Sequence, residues 1–146
     1  MSSGLRLRVA LCVVALACSV AAAASARGDS LSPACSLYGV TLASQLLTSE
    51  FDSPNLTYNP KKWPTFLQQA NNARAVFDDS RFASARPRYD ALIHELGIVN
   101  AKLSHGDRGG ARRELRRAAV DLKAVLAAAR SGHLVCKSGS TVFSIG

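Results

Sequence analysis

The sequence predicts an all-α domain: four amphipathic helices in an up-down-up-down bundle, closed by one disulfide. Three observations carry that expectation. Apolar residues recur at helical spacing in four separate segments. Mostly short links of turn-forming residues divide those segments. Two cysteines, Cys35 and Cys136, bracket the four segments. In such a bundle the start of the first helix and the end of the fourth lie at the same end, so the pair is placed to bond. Three or five helices would put those cysteines at opposite ends.

The first helix is expected from about Pro33 to Glu50. Ser32 is placed as its N-cap, with Pro33 at the first helical position. Its apolar stripe reads Val40, Ala43, Leu46 and Leu47, widened by Leu42. Asp52 to Trp63 follows as a polar connection holding Pro54, Asn55, Asn59 and Pro60, the longest expected loop. Asn55-Leu56-Thr57 is a glycosylation sequon within it. Pro64 opens a second helix to about Asp79, with Phe66, Ala70, Ala73 and Phe77 on one face and Leu67 and Val76 beside them. At its entrance Lys61-Lys62-Trp63-Pro64 sets the single tryptophan beside two cations, where its ring is expected to staple the helix start onto the core.

Pro87 begins a third helix whose face is Tyr89, Leu92, Ile93, Leu96, Val99 and Leu103. His105-Gly106-Asp107 is a tight break: Gly106 suits the left-handed residue after a helix, and Asp107 suits the next N-cap. The fourth helix carries Leu115, Ala118, Ala119, Leu122, Val125, Leu126 and Ala129, and Gly132 is expected to stop it. The rest is a Ser/Gly-rich tail ending in Thr141-Val142-Phe143-Ser144-Ile145, either frayed or laid on the bundle.

The N-terminus reads as a secretory signal peptide. Arg6 and Arg8 precede an apolar run, Val9 to Ala24, which closes on Ala24-Ser25-Ala26, a small-x-small cleavage pattern. The organisation is therefore 1–26 signal peptide, 27–136 helical domain and 137–146 tail. Cys18 follows Ala15-Leu16-Ala17, a poor context for lipid attachment, so lipid anchoring is not expected. No other run reaches the roughly 18 apolar residues of a spanning helix. These features place the mature chain outside the cytosol, where a Cys35–Cys136 bond persists. The chain-entropy account assigns about 4–5 kcal/mol to closing so long a loop.

The whole chain has 18 basic and 10 acidic residues. Without the signal the balance remains strongly positive, which favours anionic partners: an anionic surface, a polymer or an acidic protein. Specific nucleic-acid recognition is not indicated, since there is no zinc-finger pattern, RNP motif or interleaved aromatic set.

Sequence motifs for catalysis are missing: no G-x-S-x-G elbow, Walker loop or dinucleotide fingerprint occurs. His94-Glu95 begins an H-E-x-x-H pattern, but the second ligand position is Ile98. Asp78-Asp79 are helix neighbours pointing in different directions. His105 and His133 suit helix C-terminal capping. No enzyme and no resident cofactor or metal is expected. A second reading, an extracytoplasmic carrier of a small apolar or haem-like ligand held between the helices, would draw on Tyr58, Tyr89 or His94.

One positive feature remains. Arg108, Arg112, Arg113, Arg116 and Arg117 crowd the first half of the fourth helix. The last four cover about 140° of its surface, away from Leu115, Leu122 and Leu126. Gly109 and Gly110 are expected to leave backbone N–H groups open at the helix start, where anions bind readily. Arginine adds planar, bidentate donors for phosphate or carboxylate. The contrasting expectation is a solvated face with local ion pairs, to Glu95 or Asp90 of the third helix. The sequence reading is thus a secreted binding module, with this arginine face as its contact surface.

Overall fold

A computed structural model describes residues 32–54 and 57–145 of the chain. The signal-peptide reading, Cys18 and Asn55 lie outside the described residues. Within them are four α-helices: α1 (Pro33–Ser49), α2 (Trp63–Ala73), α3 (Arg86–Ser104) and α4 (Arg108–Ser131). Two short strands, β1 (Val135–Ser138) and β2 (Thr141–Ser144), complete the order. The fold is predominantly helical, as the periodicity predicts, but it is not a pure four-helix bundle.

Two differences account for that. The first is the C-terminal segment. It is neither frayed nor simply draped: Cys136 pairs with Phe143 and Lys137 with Val142 in an antiparallel hairpin. A two-residue turn joins the strands, with Gly139 at φ 60°, a left-handed value that two-residue hairpin turns require. Phe143 meets the Tyr38 ring of α1 at 5.5 Å, and Ile145 packs onto the core beyond it. Val142 faces outward, 60% exposed.

The second difference is α2. Regular α-helix stops at Ala73, and the chain continues as a tighter 3-10 segment, Arg74–Asp78. A further 3-10 turn, Ala83–Ala85, leads into α3. The tightening buries Val76 and Phe77 beside each other rather than on a strict helical stripe. The broadest packing is the α3–α4 hairpin, then α1 against α2 and against α4, whereas α2 barely touches α3.

The buried stripe of α1 is rotated from the expected one. Leu37, Val40, Thr41 and Ser44 face inward, whereas Ala43, Leu46 and Leu47 are only partly covered. Apolar residues surround this helix, so its own pattern does not choose a face. Small hydroxyl residues share this buried face, and each has a hydrogen-bond partner. Ser44 donates to the Val40 carbonyl at 2.7 Å and Thr41 to that of Tyr38 at 3.0 Å, while Ser36 accepts from Asn72 Nδ2 at 2.7 Å.

Other expectations hold. Ser32 caps α1, its hydroxyl accepting the Cys35 N–H at 3.2 Å. Tyr89, Leu92, Leu96 and Val99 are the buried face of α3. Leu115, Ala118, Leu122, Val125, Leu126 and Ala129 are buried on α4, with Ala119 only partly so. Trp63 is half-buried and stacks on Phe66 at 5.3 Å. Gly106 takes φ 76° between α3 and α4. Cys35 and Cys136 are joined, with Cα atoms 4.6 Å apart, so the bond ties the first turn of α1 to β1.

α4 stops at Gly132, its C-cap, as the sequence predicts, and the left-handed turn falls on the next residue. Gly132 has φ −83°, a value open to any residue, and it is His133 that turns left-handed, at φ 53°. The Leu134 N–H then reaches the Ala129 carbonyl at 2.9 Å, closing the helix end. Gly132 serves another purpose: the Phe82 ring occupies the space where its side chain would project.

The core has two parts. One gathers Leu37, Val40, Phe77, Phe82, Tyr89 and Val125, the other Phe51, Leu92, Leu96, Val99, Leu115 and Leu122. Phe66 and Ile145 pack against both.

Candidate functional site

The start of α4 is organised by Asp107. Its carboxylate accepts the Gly110 N–H at 2.7 Å, a side-chain N-cap. That bond and the nearby Lys102 ammonium hold the Asp107 carboxyl below the usual carboxylate range. Gly110 must be glycine for this approach, since a Cβ there would lie 2.1 Å from Asp107 Oδ2. This corrects the expectation of an open amide: the Gly110 N–H is occupied by the chain's own carboxylate, and Gly110 is buried. Gly109 is exposed beside it.

The five arginines divide into two sets. Arg108 and Arg112 clamp the segment that leaves α1. Arg108 donates to the Phe51 carbonyl at 3.1 Å and sets its guanidinium 4.9 Å from the centre of the Phe51 ring. Arg112 forms a two-pronged ion pair with Asp52 and lies 6.0 Å from the same ring. Phe51 is buried beneath them, 5% exposed. These contacts are cation–π and charge-assisted bonds at a partly exposed position, so they align the connection more than they stabilise the fold.

Arg113, Arg116 and Arg117 form the second set, all exposed. Arg117 pairs with Glu114 of its own helix at 3.2 Å. The anticipated partners on α3 are not used: Asp90 pairs with Arg74 at 2.8 Å, and Glu95 makes no ion pair among the described residues.

The basic face also runs further than the sequence reading placed it. Lys123 and Arg130 are exposed on the same side of α4, together with Val120, which is 63% exposed. At 100° per residue, Arg112, Arg113, Arg116, Arg117, Lys123 and Arg130 all fall within an arc of about 140°. The acids of α4 lie off this arc. Glu114 is largely covered, and Asp121, 6% exposed, is bound by Arg88 of α3 at 3.0 Å. Among the described residues, Arg113, Arg116, Lys123 and Arg130 have no acid within ion-pair distance. The signal for the extension was present in the spacing: positions 116, 123 and 130 recur every seven residues, two helical turns.

Glu95 lies between α3 and α4. Its Oε2 is shut off from solvent and has no hydrogen-bond partner among the described residues. Burial raises its carboxyl above the ordinary range. The Asp121 and Glu114 carboxylates add to that rise, and Arg117 and His94 oppose it.

The residues of the carrier reading are dispersed. The Tyr89 hydroxyl is buried and donates to the Ala70 carbonyl at 2.7 Å, and burial raises it far above the ordinary phenol range. Tyr58 donates to Asn100 Oδ1, and His94 is exposed on α3. His105 Nδ1 meets the Ala101 carbonyl at 2.7 Å at the end of α3, and His133 stands past the end of α4. Among the described residues no group of three or more His, Cys, Asp or Glu is placed to hold a metal ion, and no helix is long and apolar enough to cross a membrane. No family model, curated protein or solved structure matches the chain.

Proposed function

We propose that this chain is a secreted, non-enzymatic binding module that docks an anionic partner on the outward face of α4. One observation carries the reading: α4 presents six basic side chains and no acid of its own over an arc of about 140°; Arg112 pairs with Asp52 and Arg117 with Glu114. Four of them, Arg113, Arg116, Lys123 and Arg130, are left over after the internal ion pairs of the described residues are formed. A concentration of one sign on one helix raises the local density of oppositely charged partners. The cystine supports the secreted part of the reading, because such bonds persist outside the cytosol. The disulfide-closed helical scaffold, with its hairpin, supplies rigidity to the face rather than chemistry.

The experiment reverses charge where it leaves the fold alone. Arg113→Glu with Arg116→Glu alters two exposed residues that make no ion pair among the described residues. Binding to a fluorescent anionic polymer and to acidic vesicles is measured across salt. The reversed protein is expected to lose salt-sensitive binding to whichever of the two binds wild type. A control, Lys61→Glu with Lys137→Glu, removes the same charge from other surfaces and is expected to retain most of it. Equal loss in both proteins would show that net charge alone attracts the partner, and undiminished binding by the first would remove the proposal.

A further inference from the structure

Resting on that reading, we infer that the partner is a linear acidic polysaccharide lying lengthwise along α4. The argument begins with spacing. Arg116, Lys123 and Arg130 follow one another every seven residues, so they rise along one side of the helix in steps of about 10.5 Å. With Arg112 at the start, the row is about 27 Å long. It is narrow, one helix wide, and drifts only about 20° around the helix at each step. A disaccharide unit is about as long as two helical turns, so a polymer bearing charge on every second sugar presents anions in step with this row.

The floor between the cations favours a sugar chain over a bilayer or nucleic acid. Val120 and Ala127 fill the gaps, both exposed, giving small apolar contacts for the flat faces of sugar rings. Val120 is the one large apolar residue strongly exposed on the helix, too little to insert into a membrane interface. No aromatic residue occurs anywhere in α4, so nucleobases have nothing to stack on. Arginine and lysine both serve sulfate and carboxylate groups, and from Arg116 to Arg130 the row carries no exposed acid to repel them; Asp52 stands only at its Arg112 end.

The probe is a set of heparin oligosaccharides of defined length, titrated against the full mature chain by fluorescence anisotropy and calorimetry. An octasaccharide, long enough to span the row, is expected to bind at least about tenfold tighter than a disaccharide, since it meets several cations at once. Lys123→Gln with Arg130→Gln is expected to lower the slope of log affinity against log salt by about 2 for the octasaccharide and to leave the disaccharide unchanged. Both positions are exposed, so helical content and melting temperature serve as the check on folding.

Four results overturn the inference, the last together with the reading it rests on. If the octasaccharide binds no tighter than the disaccharide, the site is not lengthwise. If the Lys123/Arg130 variant matches wild type while the Arg113/Arg116 reversal fails, the site is compact and confined to the helix start; the anionic-partner reading then stands and the polysaccharide assignment falls. If phosphatidylglycerol vesicles bind and the octasaccharide does not displace them, the partner is a membrane surface. Binding to no anion at all removes both proposals together.

Discussion

Replacing Gly132 by alanine tests whether its neighbour, rather than its backbone, requires glycine. The backbone there, φ −83° and ψ 1°, lies in the bridge region at a negative φ, which does not require glycine. By unfolded-state entropy alone, Gly132→Ala should stabilise by about 0.4–1 kcal/mol. The structure reverses the sign. An added Cβ would lie 2.2 Å from Cε1 of Phe82 and 2.8 Å from both Cδ1 and Cζ. The ring has little room to retreat: Phe82 is 2% exposed, and the Arg81 guanidinium sits 5.0 Å from its centre. Arg81 is held in turn by Asp79 and by the Gly132 carbonyl, at 2.7 and 3.3 Å. Overpacking of this kind costs about 1–3 kcal/mol, which outweighs the entropy gain. For a domain of this size the net loss is a fall of roughly 3–8 °C in melting temperature, followed by circular dichroism. Phe82→Leu makes room, so the double variant should be more stable than the sum of the two single effects by about 1 kcal/mol. A Gly132→Ala protein as stable as wild type, or strictly additive single effects, would refute the steric account.

Three further outcomes are expected. Glu95→Gln should stabilise at neutral pH by about 1 kcal/mol, because an ionised carboxyl with a buried, unpaired oxygen is removed. The pH sign follows from its raised pKa: the contribution of Glu95 to stability is present below the ordinary glutamate value near 4 and is lost as pH rises through the raised one. The advantage of the glutamine variant in urea unfolding should therefore grow from pH 4 to pH 7, and an advantage independent of pH would point to packing instead. His133→Gly should raise stability by about 1 kcal/mol, since glycine takes φ 53° without steric cost, as a thermal melt would record. Replacing Cys35 and Cys136 together by serine should lower stability by about 2–4 kcal/mol while leaving the helical spectrum in place, and alkylation of the native, unreduced protein should label neither cysteine.

The helices were legible where one face was apolar. On α3 and α4 the periodicity selected most of the buried residues, because most of the charge occupies the opposite side; buried Asp121 and the covered Glu95 oxygen fall outside that pattern. On α1 it did not, since apolar residues surround the helix and its buried face includes the small Ser36, Thr41 and Ser44. The hairpin has a sequence signal of its own: Gly139-Ser140, a two-residue turn, stands between Val135-Cys136 and Thr141-Val142-Phe143, though the Ser/Gly-rich composition around it obscures the signal. Phe51 was hidden for another reason. Its burial depends on Arg108 and Arg112, far away in sequence, folding over it. The same contacts divide the arginine cluster, which a helical projection treats as uniform. Only tertiary contacts separate arginines that fasten the chain to itself from those that face outward. The Gly110 amide is hidden from the sequence similarly, since its capture by Asp107 depends on a side-chain rotamer that composition does not encode.

The bond between Cys35 and Cys136 spans 101 positions of sequence and makes those residues a covalent ring. A ring cut once remains one molecule. If a protease opened the exposed stretch around Asp52 and Pro54, the two pieces would stay fastened beside α1 and β1, and the α3–α4 hairpin with its basic face would be untouched. The clipped protein would keep its mass apart from one added water and would separate into two bands only after reduction. Residues beyond Cys136 have no such insurance. A cut at Lys137 would free the end of the hairpin and take with it Phe143 and Ile145, the side chains it lays against α1 and the core.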